Sequence, residues 1–125
     1  MDNEKKKILV IDDDDVLLSA VKAILETEYN AVIARSGREA LEYITYGFIP
    51  ELILLDIIMP EMDGFETYSR IRAISILGQI PIVFLSSVTE QNEIKKAMNM
   101  GAADYINKPF TKRDLLTKIG DILKD

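Results

Sequence analysis

Three uninterrupted apolar runs constrain this chain more than anything else in it: Ile8-Leu9-Val10-Ile11, Leu52-Ile53-Leu54-Leu55 and Ile82-Val83-Phe84-Leu85. A strand with one face in water alternates apolar and polar residues. A run without alternation reads as a strand covered on both faces, the habit of parallel sheets. Each run is followed by a segment of helical periodicity. After the first, Val16, Leu17, Ala20, Val21, Ile24 and Leu25 make one apolar stripe, and Asp14 or Asp15 is its N-cap. Asn30 to Ala34 is a shorter, less apolar strand. Ser36 and Glu39 have capping-box spacing and open a helix with Ala40, Leu41 and Ile44 inward, closed near Gly47. The Leu52–Leu55 run is followed, after Gly64, by a helix of about three turns with Phe65, Tyr68, Ile71 and the stem of Arg72 inward. Thr89 caps a helix from Glu90 to about Met100, ended by Gly101. Tyr105-Ile106 is a brief fifth strand, and Thr111 and Asp114 start a last helix carrying Leu115, Leu116, Ile119, Ile122 and Leu123.

A strand–helix unit repeated five times requires parallel pairing and right-handed crossovers. An eight-fold barrel needs about 250 residues, twice the 125 available. The expected fold is therefore α/β: one domain, residues 1–125, built on a five-stranded parallel, doubly wound sheet of order 2-1-3-4-5, flavodoxin-like.

Composition removes whole classes of function. With no Cys and no His, thiol chemistry, the usual general base and the commonest zinc ligands are all missing. A net charge of −6 without a long basic run argues against direct nucleic-acid binding. Lys5-Lys6-Lys7 reads as a solvated lead-in to the first strand. No segment approaches the ~18 apolar residues of a membrane span, and the N-terminus lacks an apolar signal region. The expectation is a cytoplasmic domain.

The chemistry lies where the strands end. Asp12 and Asp13 follow the first run, Asp56 the third strand, Ser86 the fourth, and Lys108 the fifth. Alone, Asp56 reads equally well as a turn or capping residue. In the 2-1-3-4-5 order, however, strands one and three are neighbours and their shared edge is the topological switch point. Asp12, Asp13 and Asp56 then converge. Three carboxylates in one place repel, and a hard divalent cation relieves the conflict; oxygen ligands without His or Cys select Mg²⁺. A carboxylate beside Mg²⁺, flanked by a Lys ammonium and a small hydroxyl, is equipped to receive a phosphoryl group and form an aspartyl phosphate.

Four pieces in this order resemble a family: Ile8-Leu9-Val10-Ile11-Asp12-Asp13; Leu54-Leu55-Asp56-Ile57-Ile58-Met59-Pro60 with Asp63-Gly64; Phe84-Leu85-Ser86; and Gly101-Ala102-Ala103-Asp104-Tyr105 leading to Lys108-Pro109-Phe110. Together they resemble the response-regulator receiver domain of two-component phosphorelay signal transduction, over nearly the whole chain. The resemblance implies a role for each position. Asp56 is the phosphoacceptor. Asp13 is the direct Mg²⁺ ligand, Asp12 acts largely through bound water, and Ile58 offers its backbone carbonyl to the metal. Ser86 is the switch hydroxyl, Lys108 contacts the phosphoryl group, Lys108–Pro109 is cis, and Tyr105 is the aromatic switch residue. It further implies a sensor histidine kinase or phosphotransfer protein as donor, and a downstream protein target or effector domain reading the face of the fourth helix, fifth strand and fifth helix. The domain would catalyse only its own phosphorylation and dephosphorylation, so it is not an enzyme in the ordinary sense. Ser87 stands where the family often has Ala, and the Pro often found near Asp15 is missing. Ile58 and Val88, each two residues beyond a site residue, are both apolar and cannot orient an attacking water, so a long-lived phosphoryl group is expected.

A rival reading takes Asp12-Asp13-Asp14-Asp15-Val16 as the D-x-D-x-V signature of haloacid-dehalogenase-type phosphatases, with Asp12 as nucleophile and Asp14 as acid. It leaves Asp56 and Met59-Pro60 unexplained. A third reading is a degenerate receiver that serves only for docking, although every site position carries a competent residue.

Overall fold

A computed structural model describes residues 4–124, apart from the side chain of Ser75. Five strands, β1 (Lys7–Ile11), β2 (Asn30–Ala34), β3 (Leu52–Leu55), β4 (Ile82–Ser86) and β5 (Asp104–Asn107), alternate with α1 (Asp15–Leu25), α2 (Gly37–Thr45), α3 (Gly64–Arg72), α4 (Gln91–Asn99) and α5 (Lys112–Leu123). The strands form one parallel sheet of order β2-β1-β3-β4-β5, as expected from the alternation.

The unbroken apolar runs serve two cores. Successive strand residues point to opposite faces. Leu9, Ile11, Ile53, Leu55, Ile82 and Phe84 therefore pack on one side with Phe65, Tyr68 and Ile71 of α3. Ile8, Val10, Leu52, Leu54, Val83 and Leu85 pack on the other, against α1 and α5. All four residues of β3 are fully buried, so a polar group on this strand can exist only at its ends.

Several local expectations shift. The buried stripe of α1 is Leu18, Val21 and Leu25, not the stripe through Val16 and Ala20; Val16 is 80% exposed. At about 100° per residue, positions 16 and 20 lie on the far side of the helix from Leu18. The segment is apolar almost all round, so periodicity alone could not choose the inward side. Asp14 is the N-cap, its carboxylate accepting from the Val16 and Leu17 N–H groups. The cap of α4 is Glu90 rather than Thr89, and it makes no side-chain capping bond. A 3-10 turn, Ser75–Leu77, absent from the sequence reading, buries Leu77 before β4. The Lys5-Lys6 pair is exposed but not idle. Lys5 Nζ donates to the Glu26 carbonyl at the end of α1 (2.9 Å), and Lys6 Nζ to the Leu123 carbonyl at the end of α5 (2.7 Å). Both cations sit at helix C-termini, where carbonyls lack internal partners.

Candidate functional site

Register brings the polar strand ends together. Ile11 pairs with Leu55, so the next residues, Asp12 and Asp56, emerge side by side at the carboxyl edge, with the Asp56 N–H donating to the Ile11 carbonyl. Ser86 pairs with Asn107, and the Lys108 N–H donates to the Ser86 carbonyl. That bond carries Lys108 across the top of β4 toward the two acids. The Lys108–Pro109 bond is cis.

Asp12 and Asp56 are both buried, only 2% and 6% exposed. One oxygen of Asp12 accepts from the Asp14 N–H (2.9 Å); the other lies 2.6 Å from Lys108 Nζ. Lys108 Nζ is also 3.6 Å from Asp56 Oδ2, so one ammonium serves two buried carboxylates and favours Asp12. Asp56 Oδ1 accepts from the Ile57 N–H (2.8 Å). Burial pushes the Asp56 carboxyl above its ordinary value and the charge of Asp12 adds to this; Lys108, the Ser86 hydroxyl and the Ile57 N–H oppose it. Asp13 is exposed, and Asp12, Asp13 and Asp56 bring carboxylate oxygens within 4.8 Å of one another. An all-oxygen set of this size suits a hard divalent cation.

Ser86 is fully buried at the end of β4, its Oγ accepting from the Val88 N–H (3.3 Å). The Tyr105 hydroxyl donates to the Val88 carbonyl (2.7 Å), and its ring lies 6.5 Å from that of Phe84. Tyr105 is thus turned toward the β4–α4 loop. Burial raises its phenol and the charges of Asp56 and Glu93 add to this, while the nearby Ser86 hydroxyl and Lys108 ammonium oppose it. Ile58 is 64% exposed at the mouth of the site, and its carbonyl accepts no hydrogen bond among the described residues. The structure therefore assembles Asp12, Asp13, Asp56, Ser86 and Lys108 as the sequence suggested, with Tyr105 and Ile58 at the margin.

Other features escaped the sequence reading. Gly64 lies against the strand end itself. Its N–H donates to the Ile57 carbonyl (2.7 Å), and a Cβ at this position would run into the Asp56 carbonyl and lie 2.7 Å from Ile57 Cα. Only Gly lets α3 start this close behind Asp56. Glu61, in the loop between them, holds φ at +68°, a left-handed conformation uncommon outside Gly and Asn. A cleft of about 430 Å³ adjoins the site, with Ile58, Phe65 and Val88 beside Glu90 and Glu93. Lys96 Nζ sits 4.2 Å from the centroid of the Phe65 ring there. Only spatial proximity, not spacing along the chain, connects Glu90 and Glu93 to Ile58.

Residues 8–120 match the response regulator receiver domain family. The chain is 36% identical over 120 residues to the chemotaxis protein CheY of Halobacterium salinarum, covering 94% of this chain and 97% of that one. It is 34% identical over 119 residues to the transcriptional regulatory protein CpxR of Escherichia coli, covering 94% of this chain and 49% of CpxR. The chain thus spans about half the length of the transcriptional regulators it matches. The crystal structure of Vibrio cholerae CheY4 superposes with a TM-score of 0.89 at 29% identity, over 95% of this chain and 99% of that one.

Proposed function

Given that the chain belongs to the response regulator receiver family, we propose that Asp56 accepts a phosphoryl group from the phosphohistidine of a sensor kinase or phosphotransfer protein. An Asp56 carboxylate oxygen forms the new bond to phosphorus while the phosphorus–nitrogen bond breaks, its electron pair leaving with the donor imidazole. The observation that carries this reading is the single Lys108 ammonium shared between two buried carboxylates. It can follow the charge as phosphoryl oxygens arrive beside Asp56. Ser86 stands next to the acceptor with a hydroxyl to donate. Asp12, Asp13 and Asp56, with the Ile58 carbonyl, would hold a divalent cation, and Mg²⁺ fits the donor set. When bound, the cation would neutralise phosphoryl oxygens. The chemistry is confined to the domain's own modification, so the protein acts as a switch rather than as an enzyme on an outside substrate.

Output follows from the hydrogen bonds around Val88. A Ser86 hydroxyl drawn to a phosphoryl oxygen gives up its bond with the Val88 N–H, and the loop that carries the Tyr105 contact moves. A partner or effector domain that binds the α4-β5-α5 face better in that state is then favoured. Among the described residues no helix is long and apolar enough to cross a membrane; we place the switch in the cytoplasm with its kinase's catalytic domain. The phosphatase alternative draws no support from the comparisons. Its proposed acid, Asp14, has an oxygen engaged in capping α1.

Intact-mass measurement after incubation with a small phosphodonor and Mg²⁺ tests the reading. A single phosphoryl adduct is expected in the parent and none in Asp56→Asn, with a reduced level in Asp12→Asn. Multiple-turnover phosphate release that survives Asp56→Asn and is lost in Asp12→Asn would overturn it. The adduct's lifetime tests the pocket beside it. Ile58→Asn with Val88→Glu, which add groups able to orient water, should hydrolyse faster than the parent; an unchanged decay rate would remove these positions from the account.

A further inference from the structure

The two ends of helix α4 are held differently. At its C-terminal end the Met100 carbonyl accepts from the Tyr68 hydroxyl of α3 (3.0 Å). Arg72 Nε donates to the same hydroxyl (3.3 Å), while Arg72 Nη1 donates to the Leu77 and Ile80 carbonyls (3.1 and 2.7 Å). The guanidinium carbon lies 4.9 Å from the Tyr68 ring centroid. That ring, buried, stacks on Phe84 of β4 at 5.7 Å and 18°. Gly101, at φ +105°, completes the seat: a Cβ there would lie 3.1 Å from the Tyr68 hydroxyl. At the other end, Glu90 supplies no side-chain cap. The preceding loop is attached instead through Val88, to Ser86 Oγ and to the Tyr105 hydroxyl.

We infer that Tyr68 is a positioning residue that fixes the pivot of α4 at Met100, so that displacement of the Ser86–Val88 loop swings the helix's first turns while its last turn stays in place. The hydroxyl can do this because it donates to Met100 and accepts from Arg72 at once. The latch itself is a property of the unmodified protein; only the direction in which the signal travels rests on the receiver reading above.

Tyr68→Phe keeps the ring stack and removes the hydroxyl. In the unmodified proteins, amide hydrogen exchange at Met100, Gly101 and Ala102 should be about fivefold to tenfold faster in the variant, the equivalent of one lost hydrogen bond. Amides of β3 should be unchanged, which reports that the fold is intact. Beryllofluoride with Mg²⁺, a phosphoryl mimic, is then added while amide chemical shifts are followed. In the parent, changes in α4 should fade before Met98; in Tyr68→Phe they should run through Met100 to Ala102. Equal exchange in the two proteins, or parent shifts spread evenly along α4, would overturn the pivot. If the mimic shifts nothing in the parent, the receiver reading fails, and the exchange comparison still decides the latch.

Discussion

The two edges of the sheet use charge in opposite ways. At the carboxyl edge, Asp12 and Asp56 are buried together with one Lys108 between them, so charge is left imperfectly balanced and available to chemistry. At the amino edge, charge closes off helix and strand ends. Lys5, Lys6 and Arg72 donate to terminal carbonyls, and Glu51 accepts from the Lys7 N–H (2.7 Å) while its own N–H returns a bond to the Lys7 carbonyl. A hollow of about 480 Å³ lies there, lined by Lys5, Lys6 and Tyr29 with Glu4 and Glu28; among the described residues it holds no group of three acids with converging oxygens like that of the other edge. One edge buries charge at a cost in stability; the other uses charge to satisfy helix and strand ends.

That contrast can be broken by substitution. The largest effect is expected from Gly64→Ala, where the added Cβ meets backbone rather than a side chain able to move. A loss of about 3 kcal/mol by denaturant titration, together with slower phosphoryl uptake, is expected; uptake at the parent rate would show that α3 need not press on Asp56. Arg72→Ala, at the opposite edge, removes three hydrogen bonds from a charged donor, to the Tyr68 hydroxyl and the Leu77 and Ile80 carbonyls, and an aromatic contact. It should cost about 2–4 kcal/mol yet leave adduct formation within about twofold by mass. Comparable damage to the reaction would mean the edges are not separable.

A smaller effect depends on pH. Because the folded protein raises the Asp56 carboxyl above its unfolded value, the native state binds the extra proton between those two values. Stability therefore falls as pH rises through that interval, and the penalty is complete above it. In chelator, Asp56→Asn should melt higher than the parent at pH 7, with the gap closing on acidification below the ordinary carboxylate range. A gap that widens in acid would reverse the assignment. The smallest effect is expected from Lys6→Met, which uncaps the exposed end of α5. It should lower stability by about 0.5 kcal/mol, less in high salt; no salt dependence would mean the contact is incidental.

How much of this could be read beforehand differs by residue. β1, β3 and β4 were legible because a strand buried on both faces tolerates no polar interruption, and Asp12, Asp56 and Ser86 were legible as the first polar residues after their apolar runs. The inward side of α1 was not. Val16, Leu17, Leu18 and Ala20 are all apolar, and only packing against Leu54 and its neighbours selects Leu18. The cap of α4 was missed because Thr89 is the better capping residue by type, and the chain nevertheless places Glu90 there. The 3-10 turn left no periodic mark, and the motif placed Gly64 at the start of α3 without showing that its backbone presses on the Asp56 carbonyl.

By itself the sequence determined the layer order and which side chains reach the carboxyl edge, because strand and helix periods and the right-handed crossover depend on local patterning. It also nominated Asp56 as the acceptor, not from its own position but from the company of Asp12, Asp13, Ser86 and Lys108 at the other strand ends and from the family resemblance these carry. Only the tertiary structure decided how charge is shared there. Lys108 stands 96 positions from Asp12 and lies closer to it than to Asp56, and burial raises the Asp56 carboxyl. Tyr68 was likewise assigned to the core by its spacing, while its hydroxyl's grip on Met100, 32 positions away, could appear only once α3 and α4 packed. Burial and proximity between distant segments set these energies, and no spacing along the chain encodes either.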